Sequence, residues 1–128
     1  MQKTIINTHH APAPIGPYSQ AVEVHHMLYV SGQIALDAST GNLEMDSIAS
    51  ETRKVMANIQ AILHEAGLGF EHIVKTSIFL TDMAYFAEVN EVYQSYFSTD
   101  FPARETVQVA GLPRGVRVEI SVVAARNI

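Results

Sequence analysis

Apolar residues recur at spacings of three and four between Ser47 and Ala66, which predicts a long amphipathic helix with one core-facing side. Asp46 or Ser47 can cap its first turn, and Gly67 can close its last turn in the left-handed conformation. The apolar stripe consists of Ile48, Val55, Met56, Ile59, Ile62, Leu63 and Ala66. A helix of this kind packs its stripe against a second layer, and the flanking segments supply strands for that layer.

The other elements alternate between strands and one more helix. Asp82 is a candidate cap for this second helix, which extends from Phe86 to about Phe97, and the prolines of residues 11–17 keep that segment extended. The predicted strands are Met27–Ser31, Ile73–Thr81, Thr106–Ala110 and Val116–Ala125. This order predicts an α+β fold with both helices on one face of the sheet.

The last predicted strand suggests an oligomer. Its even-numbered residues from Val116 to Ala124 are apolar and point toward the helices, whereas the other face begins with Arg117, Glu119 and Ser121 and then becomes apolar. Two helices cover only one face of a sheet. We therefore expect another subunit to cover the second face, with a monomer as the alternative.

Length and composition limit the possible functions. The 128 residues predict one domain over residues 1–128, and 48 % hydrophobic content is enough for a core. The net charge of −5, without a cluster of Lys and Arg, argues against a nucleic-acid surface. The chain contains no cysteine, which excludes disulfides and thiolate chemistry. No signal-peptide core or membrane span is visible, so we expect a soluble, cytoplasmic protein.

The six histidines do not predict a metal site. His9-His10 and His25-His26 are adjacent pairs whose side chains diverge on extended backbone, and no His-Glu-x-x-His motif is present. The sequence also lacks a phosphate-binding loop, a dinucleotide-binding glycine motif and a Gly-x-Ser-x-Gly elbow.

Arg104 is the leading candidate for ligand binding, because its planar guanidinium suits a bidentate carboxylate. It shares a strand face with Thr106, while Glu105 points away and need not neutralise it. The alternative is an ordinary surface ion pair.

Two further polar residues interrupt apolar patterns. Glu119 is either a solvated neighbour of Arg117 or a carboxylate in a partly dry crevice that orients or deprotonates a water. Asn90 lies on the helical stripe of Phe86 and Tyr93, where its amide requires a hydrogen bond, either structural or to a ligand.

Several motifs, in order from Ala11 to Ala125, resemble the Rid family of reactive-intermediate (enamine/imine) deaminases, also called YjgF-type proteins. Each motif is weak alone, but their common order and spacing make the resemblance specific. The motifs are Ile15-Gly-Pro-Tyr-Ser-Gln-Ala21, Val30-Ser-Gly-Gln-Ile34, Phe86-Ala-Glu-Val-Asn-Glu-Val-Tyr93, Pro102-Ala-Arg, Val107-Gln-Val, Leu112-Pro and Val118-Glu-Ile120.

The resemblance implies a chorismate-mutase-like α+β fold with a mixed sheet, and a homotrimer with clefts between subunits. It implies cofactor-free hydrolysis of 2-imino acids, such as 2-iminobutanoate and 2-iminopropanoate, to 2-keto acids and ammonia. By position, Arg104 would hold the substrate carboxylate and Glu119 would position the attacking water. The cleft would further include Tyr18, Ser31, Gly32, Asn90 and Thr106, and no metal, nucleic acid or membrane would take part.

Two departures from the family pattern bear on activity. Family members often have Ser-Cys where this chain has Glu105-Thr106, which adds negative charge near the anion site, and Ser121 replaces a commonly acidic residue. The alternatives to the enzyme are a non-catalytic regulatory or chaperone-like trimer that binds small carboxylates and, against the net charge, a ribonuclease or translation inhibitor.

Overall fold

The computed structural model describes residues 2–127 as a six-stranded sheet with two α-helices on one face. The strands lie in the order β1-β2-β3-β6-β4-β5, and every neighbouring pair is antiparallel except β4 and β5. In chain order the elements are β1 (Thr4–Ile6), β2 (Ala21–Val24), β3 (Met27–Gln33), α1 (Ile48–Glu65), β4 (Ile73–Leu80), α2 (Phe86–Gln94), β5 (Ala103–Gln108) and β6 (Val118–Ala125). The predicted α+β class, with both helices on one side of a mixed sheet, is confirmed.

Helix α1 forms as the sequence pattern predicts. Ser47 is its N-cap in a capping box with Ser50, and Gly67 follows its C-terminus with a left-handed φ of 74°. The apolar stripe of α1 is buried against β3 and β6 and forms the centre of the core.

The second helix differs from the prediction at both ends. Asp82 caps a short 3-10 turn (Met83–Tyr85) that precedes α2, and α2 ends at Gln94 rather than near Phe97. Phe97 nevertheless packs on the ring of Tyr93, with centroids 4.9 Å apart, so the aromatic stripe continues beyond the helix. Helix α2 lies beside α1, and its side chains contact β4 and the edge strand β5.

Several strands also differ from the prediction. Strands β1 and β2 were not predicted, β5 begins at Ala103 rather than Thr106, and β6 begins at Val118 rather than Val116. Arg104 consequently lies within β5, not before it. Arg117, which the alternation placed on the open face, precedes β6 and turns to the buried carboxylate of Glu51 in α1.

The sheet face opposite the helices has no covering layer within residues 2–127. Apolar side chains stand on it, and Ile5, Tyr29 and Val107 are 51 %, 48 % and 41 % exposed. Within the same residues, no helix has the length and apolar character needed to cross a membrane.

Candidate active site

Arg104 faces α2 from the edge strand β5. Its Nη1 donates a hydrogen bond of 2.7 Å to Oδ1 of Asn90. Its Cζ lies 5.6 Å from the ring centroid of Phe86 and 5.3 Å from that of Tyr93, within the range of cation–π attraction. Asn90 thus makes the hydrogen bond to a neighbouring strand that its place on the helical stripe requires, and its partner is the candidate anion-binding residue.

No carboxylate pairs with Arg104 in the part of the chain that the structure describes. The ion pairs between basic and acidic side chains there are Lys54–Asp37, Lys75–Glu105, Arg117–Glu51, Arg126–Glu23 and the contact of His72 with Glu71. Arg104 instead borders an open cavity of about 400 Å³, together with Asn90, Tyr93, Gln94, Phe101 and Pro102. A positioned guanidinium without a countercharge is suited to bind an anion.

Glu105 does not neutralise Arg104, because it lies on the other face of the sheet. Its carboxylate accepts a hydrogen bond from the hydroxyl of Ser77 and pairs with Lys75 Nζ at 2.9 Å. These contacts lower the pKa of Glu105, with the Ser77 hydrogen bond as the larger cause. Thr106 shares the face of Arg104, and its Oγ1 is buried without a hydrogen-bond partner within residues 2–127.

Glu119 lies on the open face, next to a β-bulge in β3. Val30 pairs with Val122 and Gln33 pairs with Ile120, so β3 contains one extra residue over this interval. The bulge brings Gly32 against the side chain of Glu119. A Cβ on Gly32 would lie 2.8 Å from Cδ of Glu119, which is closer than packed atoms allow, so this approach requires glycine.

The carboxylate of Glu119 is half-buried, and burial raises its pKa above the usual value for glutamate. Within residues 2–127 no group donates a hydrogen bond to it that would offset this effect. The alternative in which Glu119 is a solvated partner of Arg117 is wrong. Arg117 Nε donates to Glu51 at 2.7 Å, and the Glu51 carboxylate also accepts from the backbone N–H of Arg117 and of Val118.

Tyr18 and Gly32 line the same cavity as Glu119, which has a volume of about 180 Å³. Ser31 supports this cavity indirectly. Its Oγ donates a hydrogen bond of 2.6 Å to the carbonyl of Ser19 and so fixes the segment that contains Tyr18. The buried amide of Gln20 holds the preceding proline-rich segment by donating to the carbonyls of Thr8, Ala11 and Pro12. These contacts position Tyr18, which is 51 % exposed, at the cavity mouth.

The predicted site residues therefore form two groups in one chain. Arg104, Asn90 and Thr106 lie on the helix side of the sheet, whereas Tyr18, Gly32 and Glu119 lie on or beside the open face. The strand registers establish this, since Arg104 is opposite the buried Thr76 and Glu119 is opposite Phe79. Residues 2–127 contain no group of three His, Asp or Glu side chains that could hold a metal ion.

Comparison with known proteins gives consistent matches over nearly the whole chain. A family model described as endoribonuclease L-PSP matches residues 8–126. A crystal structure from Yersinia pestis, named as a member of the conserved Rid protein family, has a TM-score of 0.95 and 47 % identity, covering 98 % of this chain and 100 % of that one. The chain belongs to the Rid family.

Two other relatives of this Rid protein have names that mention a substrate or a ligand. The mouse protein named 2-iminobutanoate/2-iminopropanoate deaminase is 47 % identical over 125 residues, covering 98 % of this chain and 93 % of the mouse protein. The structure of E. coli TdcF with bound serine has a TM-score of 0.92 and 39 % identity, covering 97 % of this chain and 99 % of that one.

Sequence reasoning on this Rid protein missed two supporting residues, Glu51 and Gln20. Glu51 fixes the start of β6 and hence the position of Glu119, although it is 66 residues away from Arg117 along the chain. A charged residue on the buried face of α1 was the available signal, since Glu51 lies four residues before Val55 of the apolar stripe. The signal for Gln20 is only its place in the motif that contains Tyr18.

Proposed function

We propose that this Rid protein hydrolyses 2-imino acids, such as 2-iminobutanoate and 2-iminopropanoate, to 2-keto acids and ammonia. The observation that carries the proposal is the Arg104 guanidinium, which is held by Asn90 and two rings but has no carboxylate partner in residues 2–127. The similarity to the mouse deaminase supports the same substrate class.

Arg104 binds the substrate carboxylate in this proposal. A 2-imino acid is anionic at the carboxylate and electrophilic at the adjacent C=N carbon. Two parallel N–H···O bonds from the guanidinium fix the orientation of the carboxylate and thereby the direction of this carbon. Holding the carbon beside a bound water lowers the barrier by making the reaction effectively intramolecular.

Glu119 positions the water and moves its proton. The water oxygen adds to the C=N carbon while the Glu119 carboxylate accepts a proton, which forms a carbinolamine. Glu119 returns that proton to the nitrogen. The hydroxyl proton of the carbinolamine then transfers through Glu119 to the nitrogen while the C=O bond forms and the C–N bond breaks, which releases ammonia and leaves the 2-keto acid. The raised pKa of Glu119 supports this role, because a partly desolvated carboxylate is a stronger base than an exposed one.

The two groups act on one substrate across a subunit boundary in this proposal. Arg104 and Glu119 point to opposite sides of the sheet in one chain, so one small molecule cannot contact both. A second copy that presents its Glu119, Gly32 and Tyr18 to Arg104 would complete the site. We propose a homotrimer with three such clefts, in which the open sheet faces and their exposed apolar side chains are buried.

The activity is tested by coupling the protein to a threonine dehydratase and following the disappearance of the imine. Wild type accelerates formation of the 2-keto acid, and Arg104→Ala gives no rate above the uncatalysed background. Arg104→Lys is the matched control, because it retains the charge but loses the planar fork, and it has an intermediate rate. Equal rates with and without the wild-type protein would refute the proposed activity.

The same experiment separates the enzyme from a carboxylate-binding regulatory protein. Arg104 would serve both, so binding of 2-oxobutanoate that depends on Arg104, without any acceleration of hydrolysis, would favour the regulatory protein. The desolvated carboxylate of Glu119 favours catalysis, since a sensor of an anion gains nothing from a second negative group.

A further inference from the structure

One face of α2 presents two aromatic rings to Arg104 in addition to the amide of Asn90. Phe86, Asn90 and Tyr93 follow one another at spacings of four and three in α2, which places all three on the same side of the helix. The two rings contact the guanidinium from this side, and the amide binds one of its N–H groups. Tyr93 belongs to the buried core, whereas Phe86 packs against the core and remains partly exposed.

Tyr93 is itself immobilised. It is 4 % exposed, its hydroxyl lies 2.9 Å from Oγ1 of Thr76, and the ring of Phe97 packs against it. Thr76 is buried on β4 and is the register partner of Arg104 on β5. Thr76 therefore connects the two sides of the site. It pairs with Arg104 through the backbone, and its hydroxyl holds Tyr93, whose ring contacts the Arg104 guanidinium.

We propose that Phe86 and Tyr93 are positioning residues that fix the plane of the Arg104 guanidinium and thereby set the affinity of the protein for a carboxylate ligand. The ring faces attract the cation without using its N–H groups, and Asn90 uses one of the five. The other four remain for the ligand. The carboxylate thus binds a side chain that is already ordered, which increases affinity without adding a contact.

This inference deepens the proposed function and depends on Arg104 as the anion-binding residue, but not on catalysis. Its test is therefore the binding of 2-oxobutanoate, measured by calorimetry, alongside kcat and KM in the coupled assay. Phe86→Leu removes the ring and keeps an apolar side chain. We expect it to weaken binding about fivefold, which corresponds to a partly exposed cation–π contact, and to raise KM similarly with kcat within about twofold.

Two variants separate positioning from packing. Phe86→Tyr keeps an aromatic face and retains binding within about twofold of wild type. Phe70→Leu is the matched control, because Phe70 belongs to the same aromatic cluster through Tyr96 and Phe97 but has no contact with Arg104 among the cation–π pairs. Equal weakening by Phe70→Leu and Phe86→Leu, or unchanged binding in Phe86→Leu, would overturn the inference.

A spectroscopic measurement tests the ring contact without any ligand. We expect the ring currents of Phe86 and Tyr93 to shift the side-chain protons of Arg104 upfield in wild type. Phe86→Leu should reduce this shift, and Phe70→Leu should leave it unchanged. An Arg104 resonance that Phe86→Leu does not move would contradict the proposed contact. If the shift and the binding behave as expected but hydrolysis is not accelerated, the proposed function fails and the positioning role remains.

Discussion

Arg104 and Glu119 are held by different means in different parts of the sheet. Arg104 lies on the edge strand β5, where Asn90 and two aromatic rings fix its guanidinium while the side chain stays exposed. Glu119 lies on the central strand β6, half-buried against Gly32, and no group within residues 2–127 donates a hydrogen bond to it. The first residue is ordered by attraction, and the second is confined by packing.

This difference separates the two chemical requirements of the proposed reaction. A fixed cation in an open cavity selects an anion, whereas a desolvated carboxylate with a raised pKa accepts protons more readily. Close together in one chain, the two would form an ion pair that lowers the basicity of Glu119. Their placement on opposite faces of the sheet keeps the two properties apart within one chain. In the proposed assembly, the substrate carboxylate pairs with Arg104 in the cleft that Glu119 of a second copy completes.

Among the variants that keep Arg104, the largest expected effect comes from removing the proton acceptor. Glu119→Gln should reduce kcat about 10²–10⁴-fold, the usual contribution of a general base. Binding of 2-oxobutanoate should change much less, because Arg104 is untouched. Stopped-flow assays and calorimetry on the same preparation measure the two quantities, and activity that survives in Glu119→Gln would reassign the role in positioning water.

A methyl group at Gly32 should have the next largest effect, because it forces the Glu119 carboxylate to move. Gly32→Ala should lower kcat/KM by up to about 10²-fold, the consequence of displacing a reacting group by about 1 Å. Gly111→Ala is the matched control, since a Cβ there meets no atom within 4 Å. Equal activity in the two variants would mean that the close approach of Gly32 and Glu119 is irrelevant to catalysis.

The pH dependence of the free energy of unfolding should show that partial burial of the Glu119 carboxylate is destabilising. Since its pKa is raised in the folded state, the unfolded chain loses this proton at lower pH, and stability decreases as pH rises through the usual glutamate range. Glu119→Gln should therefore raise Tm at pH 7, because the neutral amide loses nothing on partial burial in this pH range. Thermal unfolding should show this difference disappearing at pH values below the normal pKa of glutamate, and a gain that persists there would contradict the stated cause.

The smallest effect is expected at Glu105, on the face opposite Arg104. Its pairing with Lys75 and Ser77 keeps its charge away from the anion site, so Glu105→Gln should change kcat/KM by less than about twofold. Steady-state kinetics at low salt, with the oligomeric state checked by light scattering, provide the measurement. A severalfold gain in kcat/KM would show that Glu105 does act on the ligand.

The Arg104 group was more accessible to sequence reasoning than the Glu119 group. Alternation along β5 correctly separated Arg104 from Glu105, and helical spacing placed Asn90 beside Phe86 and Tyr93, because these relations are local. Residue chemistry offered the roles of Arg104 and Glu119 as one of two alternatives each, and the family resemblance favoured them. Both roles stay predictions.

The features around Glu119 depend on pairing between distant segments. The bulge at Gly32 exists only relative to β6, and Glu51 meets Arg117 across 66 residues. Neither the bulge nor the ion pair produces a periodic pattern of apolar residues that sequence analysis could detect. Strands β1 and β2 were missed for a similar reason, since three or four residues are too short for a recognisable alternation.

Mixing two inactive variants tests most directly whether Arg104 and Glu119 of different copies form one site. Arg104→Ala and Glu119→Gln chains are unfolded together and refolded, or produced together, and the activity per chain is compared with wild type. In a randomly mixed trimer about one quarter of the clefts combine an intact Arg104 with an intact Glu119, so about one quarter of wild-type activity should return.

Wild type mixed equally with the double variant Arg104→Ala/Glu119→Gln calibrates the same measurement. Shared sites predict about one quarter of wild-type activity in this mixture, whereas sites within one chain predict about one half. Recovery to about one quarter in both mixtures is the result that the account predicts. No recovery from the two single variants, together with about one half in the calibrating mixture, would contradict it.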